Sequence, residues 1–180
     1  MNSKMDRTIG TERLELRVPV AADLAAVATL WKDPELVKFI GRRPLSREQA
    51  WQRLQRNVGH WTLADYGVFA VIERATGRYV GEVGIANFER DVVPPIGKFE
   101  MGWIISPLVQ GRGYASEAVF AVLALHDRHF PREVVSCSIH VDHAASLRVA
   151  AKAGFVERTR TTYNDDPTVI LDREVYGGGN

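Results

Sequence analysis

Gln110-Gly111-Arg112-Gly113-Tyr114-Ala115-Ser116 sets two glycines and a small residue between an alternating apolar stretch and a helical pattern. At a strand-to-helix junction such a segment presents backbone N–H groups at the helix N-terminus. The unpaired amides and the positive end of the macrodipole then act together on an anion. Gly111 and Gly113 allow close backbone approach and unusual dihedrals, and small Ala115 leaves room for phosphate oxygens. Arg112 adds a charge or faces solvent. A Walker loop is excluded, because Gly-x-x-x-x-Gly-Lys-Ser/Thr is absent. A dinucleotide fingerprint would need Ser116 at its third small position and would sit unusually late in the chain. A plain glycine-containing turn accounts for the same residues.

Other chemistry-bearing residues are sparser. Cys137 is the single cysteine and lies inside Val134-Val135-Ser136-Cys137-Ser138-Ile139. It makes no intrachain disulfide or zinc cage, which fits a reducing cytoplasm, and it reads as a packed core thiol with His140 as its only local base. His126 and His129 stand three apart on a predicted helix, but they and His60 have no further ligand in register, so no metal is expected.

The elements that must position the glycine loop follow from periodicity. Arg13 to Val18 alternates as a half-buried strand, and Leu24, Val27, Leu30 and Trp31 then recur at helical spacing. Ser46 with Gln49 forms a capping-box pattern for a second helix, striped by Trp51, Leu54 and Val58 and expected to stop at Gly59. Gly67 to Ile72 and Tyr79 to Phe88 form a predicted hairpin around Ala75-Thr76-Gly77-Arg78, and Asp91 to Gly97 is a loop. Phe99 to Ile105 is a strong strand ending at Pro107. After the glycine loop a helix reaches about Phe130. A strand over Val134 to Ile139, a helix from about Ala144 to Ala153 and strands over Phe155 to Tyr163 and Val169 to Tyr176 complete the order. Hairpins followed by a β-α-β unit imply one α/β (α+β) domain over 1–180 with a mixed sheet. Residues 1–8 and 177–180 are expected to be loose ends.

Whole-chain numbers bound the function classes. The 180 residues are 46% hydrophobic and 25% charged, in the range of soluble globular domains. The 23 basic and 22 acidic residues give a net charge of +1, with no global pull toward nucleic acid or an anionic membrane. No apolar run is long enough to span a bilayer, and Met1 to Arg7 is followed by no apolar signal core. Any phosphate-bearing ligand must therefore be held locally.

Beyond the loop, three ordered segments resemble the GNAT superfamily of N-acetyltransferases. Gln110 to Ala115 matches its Gln/Arg-x-x-Gly-x-Gly/Ala form, and Thr11-Glu12-Arg13-Leu14-Glu15-Leu16-Arg17 looks like the first strand of its Rim-type branch. His143-Ala144-Ala145-Ser146 through Lys152-Ala153-Gly154-Phe155 is similar to that branch's Asn-x-x-Ser…Lys-x-Gly-Phe segment. The resemblance covers nearly the whole chain. It implies a central sheet of about seven strands, splayed between the fourth and fifth, with about four helices.

The implied activity is transfer of acetyl from acetyl-CoA to a primary amine by direct attack in a ternary complex. Gln110, Gly111, Arg112, Gly113, Tyr114, Ala115 and Ser116 would hold the phosphates, with Tyr114 packed beside them. Backbone groups of Ile104, Ile105 and Ser106 would pair with the pantetheine arm. The resemblance implies cofactor contacts for Ser146 and His143, and a general-acid role for Ser146 toward the departing sulfur. A first-turn serine bonded to its own helix is the structural alternative. His143 departs from the family's Asn, though imidazole imitates it with one N–H and one bare nitrogen. An alkylammonium must lose its proton before it attacks, and Glu100, on the strand face shared with Gly102 and Ile104, is the leading base, followed by Glu82.

Acceptor identity is expected from the early helices, the 91–98 loop and the last hairpin, with Trp31, Phe39, Trp51 and Trp61 as candidate lining. Arg42 and Arg43 read as a solvated basic face. The partners implied are acetyl-CoA and an amine, either a protein N-terminus or a small molecule, with no nucleic acid and no membrane; a homodimer is compatible with the resemblance. A catalytically idle acyl-CoA-binding sensor would show the same glycine loop, and a nicotinamide-dependent oxidoreductase is the remaining class.

Overall fold

Apolar residues alternate along the central strands, and this gives the sheet two different faces. The computed structural model describes residues 5–174. The strands are β1 (Thr8–Gly10), β2 (Leu14–Arg17), β3 (Val68–Glu73), β4 (Arg78–Ala86), β5 (Glu100–Ile105), β6 (Val135–His140), β7 (Val156–Tyr163) and β8 (Asp166–Arg173). They form one mixed sheet in the order β1-β2-β3-β4-β5-β6-β8-β7, antiparallel except where β5 meets β6. The helices are α1 (Leu24–Trp31), α2 (Pro34–Val37), α3 (Arg47–Ala64), α4 (Tyr114–His129) and α5 (Ala144–Lys152).

Phe99, Met101, Val83, Ile85 and Cys137 join Val119 and Val122 of α4 in the larger core. Ile104 and Tyr79 instead reach a smaller cluster built by Val27, Trp31 and Val37 with Leu54 of α3. Consecutive residues of β5 therefore serve opposite layers, as the two-residue period requires. The odd positions are apolar and lie under α4. The even ones, Glu100 and Gly102 among them, face the α1–α3 side.

Several sequence expectations are corrected. β1, with only three residues, is too short to show a period, so the strands among the described residues number eight against the expected seven or so. The helices among them number five against about four, because Asp33 caps the short α2 through Glu35 N–H (2.9 Å). Gly59 does not end α3, which continues to Ala64; a helical glycine costs about 1 kcal/mol, less than the burial of Trp61 returns. Trp51 lies off the buried stripe, which is Ala50, Leu54, Asn57 and Trp61. β4 ends at Ala86, freeing Phe88 for the site, and β8 starts at Asp166. At the N-terminal end expected to be loose, Met5 is buried and Thr8 begins β1, while Asp6, Arg7 and Thr8 are exposed; 1–4 and 177–180 lie outside the described residues. No helix among the described residues is long and apolar enough to cross a membrane.

Candidate active site

Gly111 and Gly113 both adopt the left-handed backbone, at φ of 77° and 79°, and a Cβ on Gly111 would meet nothing within 4 Å. Gly113 is the N-cap of α4, so the first amides of that helix open beside the loop. They border a cavity of about 370 Å³ that also touches Ile105, Gln110, Ala115, Ser116, His143 and Ser146. The structure thus brings together most of the residues expected to hold a phosphate-bearing ligand.

Two members of the loop are tied back to the sheet. Tyr114 borders this cavity but is buried, and it donates its hydroxyl to Glu73 Oε1 at 2.8 Å, which anchors the loop to the end of β3. Arg112 is not among the lining residues of this cavity, and its guanidinium is 3.6 Å from Glu73. The Thr76 and Tyr114 hydroxyls, with Arg78 adding to them, pull the Glu73 carboxyl down to about 2. Arg13 completes the brace. Its guanidinium lies 4.8 Å over the Tyr114 ring, donates to the Arg112 carbonyl at 2.7 Å and pairs with Glu117 at 2.6 Å. The Thr11-to-Arg17 segment and the glycine loop, about a hundred positions apart in sequence, are one structural unit.

β5 supplies the second wall. Ser136 N–H donates to the Phe99 carbonyl at 2.9 Å, and the only register pair between β5 and β6 is Glu100 with Ser136. Past that point the two strands part. Ser106 N–H donates to the Val80 carbonyl at 2.8 Å, so even-numbered residues of β5 direct their backbone groups to β4. By the alternation of an antiparallel ladder, Trp103 and Ile105 turn theirs into the gap. Of the expected trio, Ile105 thus turns its backbone groups into the gap, as Trp103 does, whereas those of Ile104 and Ser106 face β4.

A larger cavity of about 560 Å³ lies on the α1–α3 face, and Gly102 leaves space in its floor. It contains both candidate bases. Glu100 is buried and accepts from Arg90 Nε (2.6 and 2.9 Å) and from the Ser138 hydroxyl (2.8 Å). Glu82 is equally buried and accepts from Arg53 Nε (2.8 Å), Trp31 Nε1 (3.3 Å) and the Tyr79 hydroxyl (3.3 Å). Three groups thus tie Glu82 into the wall, against two for Glu100. The two cavities share Trp103, Ile104, His143 and Ser146, so they meet where the strands part.

Ser146 stands in the first turn of α5, at that junction. No hydrogen bond among the described residues engages its hydroxyl, so the helix-bonded alternative is not what forms. His143, the residue before α5, stacks on Phe39 at 4.7 Å, and burial followed by His140 lowers its pKa. Arg42 is exposed, as a solvated basic residue should be, and it also pairs with Asp166 at 2.5 Å, beside His140. Of the aromatic candidates, Trp31 and Phe39 line the larger cavity, whereas Trp51 and Trp61 do not. Cys137 is buried, and burial pushes its thiol well above the ordinary range, as an inert core thiol requires. No group of three or more metal-ligating side chains forms among the described residues.

Sequence reasoning missed Arg53, Arg56, Phe88, Arg90, Ser138 and Tyr163, all of which border the larger cavity. Ser138 had a signal, since it sits between the apolar Cys137 and Ile139 on the opposite face of β6. Arg90 had none, because it follows the end of β4 in irregular chain.

Residues 13–156 match the family model described as an acetyltransferase (GNAT) domain. The curated relative YnaD of Bacillus subtilis (strain 168), described as an uncharacterized N-acetyltransferase, is 26% identical over 81% of this chain and 81% of its own. A provisionally assigned GnaT-family acetyltransferase from Bordetella pertussis superposes with a TM-score of 0.83 at 28% identity, covering 93% of this chain and 99% of that one. The fold is also that of the ribosomal-protein-S5-alanine acetyltransferase from Vibrio fischeri (TM-score 0.76, 17% identity, 97% and 100% covered).

Proposed function

Since this chain belongs to the GNAT family of acetyltransferases, we propose that it moves the acetyl group of acetyl-CoA to a primary amine by direct attack in a ternary complex. One observation carries this reading. A cavity floored by helix-N-terminal amides and a cavity lined by two glutamates share Ile104, His143 and Ser146 as a common wall.

In this reading the amides of Gly111, Gly113, Ala115 and Ser116, with Gln110, receive the pyrophosphate. Tyr114 and Arg112 act from behind the loop through Glu73. The backbone of Trp103 and Ile105 pairs with the pantetheine arm as a strand partner would. That leaves the thioester at the junction and the amine in the larger cavity. Holding both reactants there supplies several kcal/mol of the barrier reduction, up to roughly 7–11 in the best oriented cases.

The proton balance assigns the side chains. An alkylammonium near pKa ~10 must first give up a proton, and Glu100 accepts it directly or through one water. The nitrogen then bonds to the acetyl carbon, and collapse of the tetrahedral adduct breaks the carbon–sulfur bond while the nitrogen's surplus proton passes to the departing sulfur, leaving the amide and the free CoA thiol. Ser146 donates its free hydroxyl hydrogen bond to the departing sulfur, and His143 borders the same point as a neutral ring. Glu82, held by three donors, shapes the wall. A panel of amines and N-terminal peptides scored for CoA release tests the proposal. Acetyl-CoA binding without turnover of any acceptor would instead mark an idle acyl-CoA-binding module.

A further inference from the structure

The larger cavity is lined by three arginines, Arg53, Arg56 and Arg90, but by only two carboxylates, Glu82 and Glu100. Arg53 is committed to Glu82 at 2.7 Å and lies 3.8 Å over Trp31. Arg90 is committed to Glu100 at 2.6 Å and lies 4.7 Å over Phe88 and 5.2 Å over Tyr163. Arg56, one turn beyond Arg53 on α3, has no acidic partner among the described residues. Its guanidinium lies 5.5 Å from the same Phe88 ring that Arg90 covers. Desolvation and the repulsion of Arg53 lower its pKa, with Glu82 opposing them and Arg90 adding to them.

Arg56 is an exposed cation at the cavity wall, without an ion-pair partner of its own among the described residues and with a committed arginine on either hand, so its guanidinium hydrogen-bonds water and stays open to a ligand. A bound anion gains charge-assisted, bidentate hydrogen bonds from it. The glutamates are neutralised by their own arginines, so they do not repel that anion as bare carboxylates would. We infer that the acceptor is an amine that also carries a carboxylate, and that Arg56 is the residue that reads it. This rests on the acetyl-transfer reading above and narrows its substrate class.

Two sources of the carboxylate are separable. Leucine against leucinamide tests an amino acid's own carboxylate. Amidated Ala-Asp against amidated Ala-Asn tests an acidic side chain behind an N-terminal amine. For each pair the kcat/KM ratio is measured in the wild type and in Arg56→Gln, so that differences in amine basicity cancel. The preference for the carboxylate member of one pair is expected to fall roughly 10–100-fold in the variant, the range for loss of a hydrogen bond to a charged group. Arg56→Lys should retain part of it, because a point charge replaces the fork.

Ratios unchanged by Arg56→Gln in both pairs, with circular dichroism showing a folded variant, overturn the inference and leave acetyl transfer standing. If no acceptor turns over at all, acetyl transfer fails, and binding decides the inference. Trp31 and Trp103 line the cavity, so their fluorescence reports titrations with the same probes. Carboxylate-selective quenching that disappears in Arg56→Gln sustains an anion-reading pocket. Equal binding of both members of each pair removes it.

Discussion

Ser138 donates its hydroxyl to Glu100 Oε1 at 2.8 Å, across the point where β5 and β6 part. The strands share a single register pair, Glu100 with Ser136, so this side-chain bond continues the contact just as the backbone ladder stops. It holds the carboxylate at the vertex of the gap, with Arg90 closing it from the other side at 2.6 Å. A base in this position is oriented before substrate arrives.

Glu100→Gln keeps the shape and the Ser138 contact but removes the carboxylate proposed as the proton acceptor. We expect kcat to fall by roughly 100-fold or more near neutral pH, within the usual range for a lost general base. The deficit should shrink as pH rises and the free amine becomes abundant. Glu82→Gln should act mainly on stability, because it disturbs a wall of three donors. Rate profiles from pH 6 to 10 for both variants check this, and a larger kcat loss in Glu82→Gln would reverse the assignment.

Gly102 contributes empty space: a Cβ placed there meets no atom within 4 Å, and its backbone is not in the left-handed region. Gly102→Val should therefore fold, since a β-branched residue suits a strand, while its methyls occupy the acceptor cavity. Acceptor kcat/KM should fall at least roughly tenfold, a size typical of overfilling a packed site. Acetyl-CoA affinity, measured by calorimetry, should stay close to wild type. A comparable loss of both would place the glycine in the acetyl-CoA site.

The loop, its helix and the strand before it were legible because each has a local signature: two glycines, a 3.6-residue stripe and a two-residue alternation. The short β1 and α2 were not, since three or four residues carry too little periodicity. The glycine-loop side, proposed above to hold acetyl-CoA, was readable for a related reason: backbone amides at a helix start need only glycines in order. The acceptor side depends on which side chains from α3, β6 and the chain after β4 converge, and no local pattern encodes that. Arg90 meeting Glu100, ten residues on, is a product of tertiary folding alone. The turning of Ile104 and Ser106 toward β4 has the same origin, because the edge of β5 that stays open depends on its pairing with β4.

Acid should loosen the brace behind the loop before it unfolds the sheet. Hydroxyls of Thr76 and Tyr114 with Arg78 hold Glu73 at about 2, below the ordinary 4.5. A depressed carboxyl contributes stability that is full above the unfolded value and fades as pH falls from there toward the folded one. The wild type should thus lose thermal stability between about pH 4.5 and 2 more steeply than Glu73→Gln. At pH 7 the variant should have the lower Tm and weaker acetyl-CoA binding, because Tyr114 and Arg112 lose their anchor. Parallel Tm curves for the two proteins across that acid range would show that Glu73 is not the group responsible.

His143 is the position where the resemblance to the family breaks, and its surroundings give the imidazole a second task. It stacks on Phe39 at 4.7 Å, and burial followed by His140 lowers its pKa from the ordinary 6.5. A histidine whose folded value lies below its unfolded one resists protonation in the native state. Its contribution is full above 6.5 and is lost as pH falls below that. His143→Asn restores a donor and an acceptor at the junction without a titrating ring. The variant should keep acetyl transfer within a few-fold at pH 7.5 while giving up the Phe39 stack, worth about 0.5–1.5 kcal/mol. Its Tm should be lower at pH 7.5 but should decline less than the wild type's between pH 7 and 5. An unchanged acid decline would assign that titration to His126, whose pKa burial also lowers, and leave His143 only its place at the cavity junction.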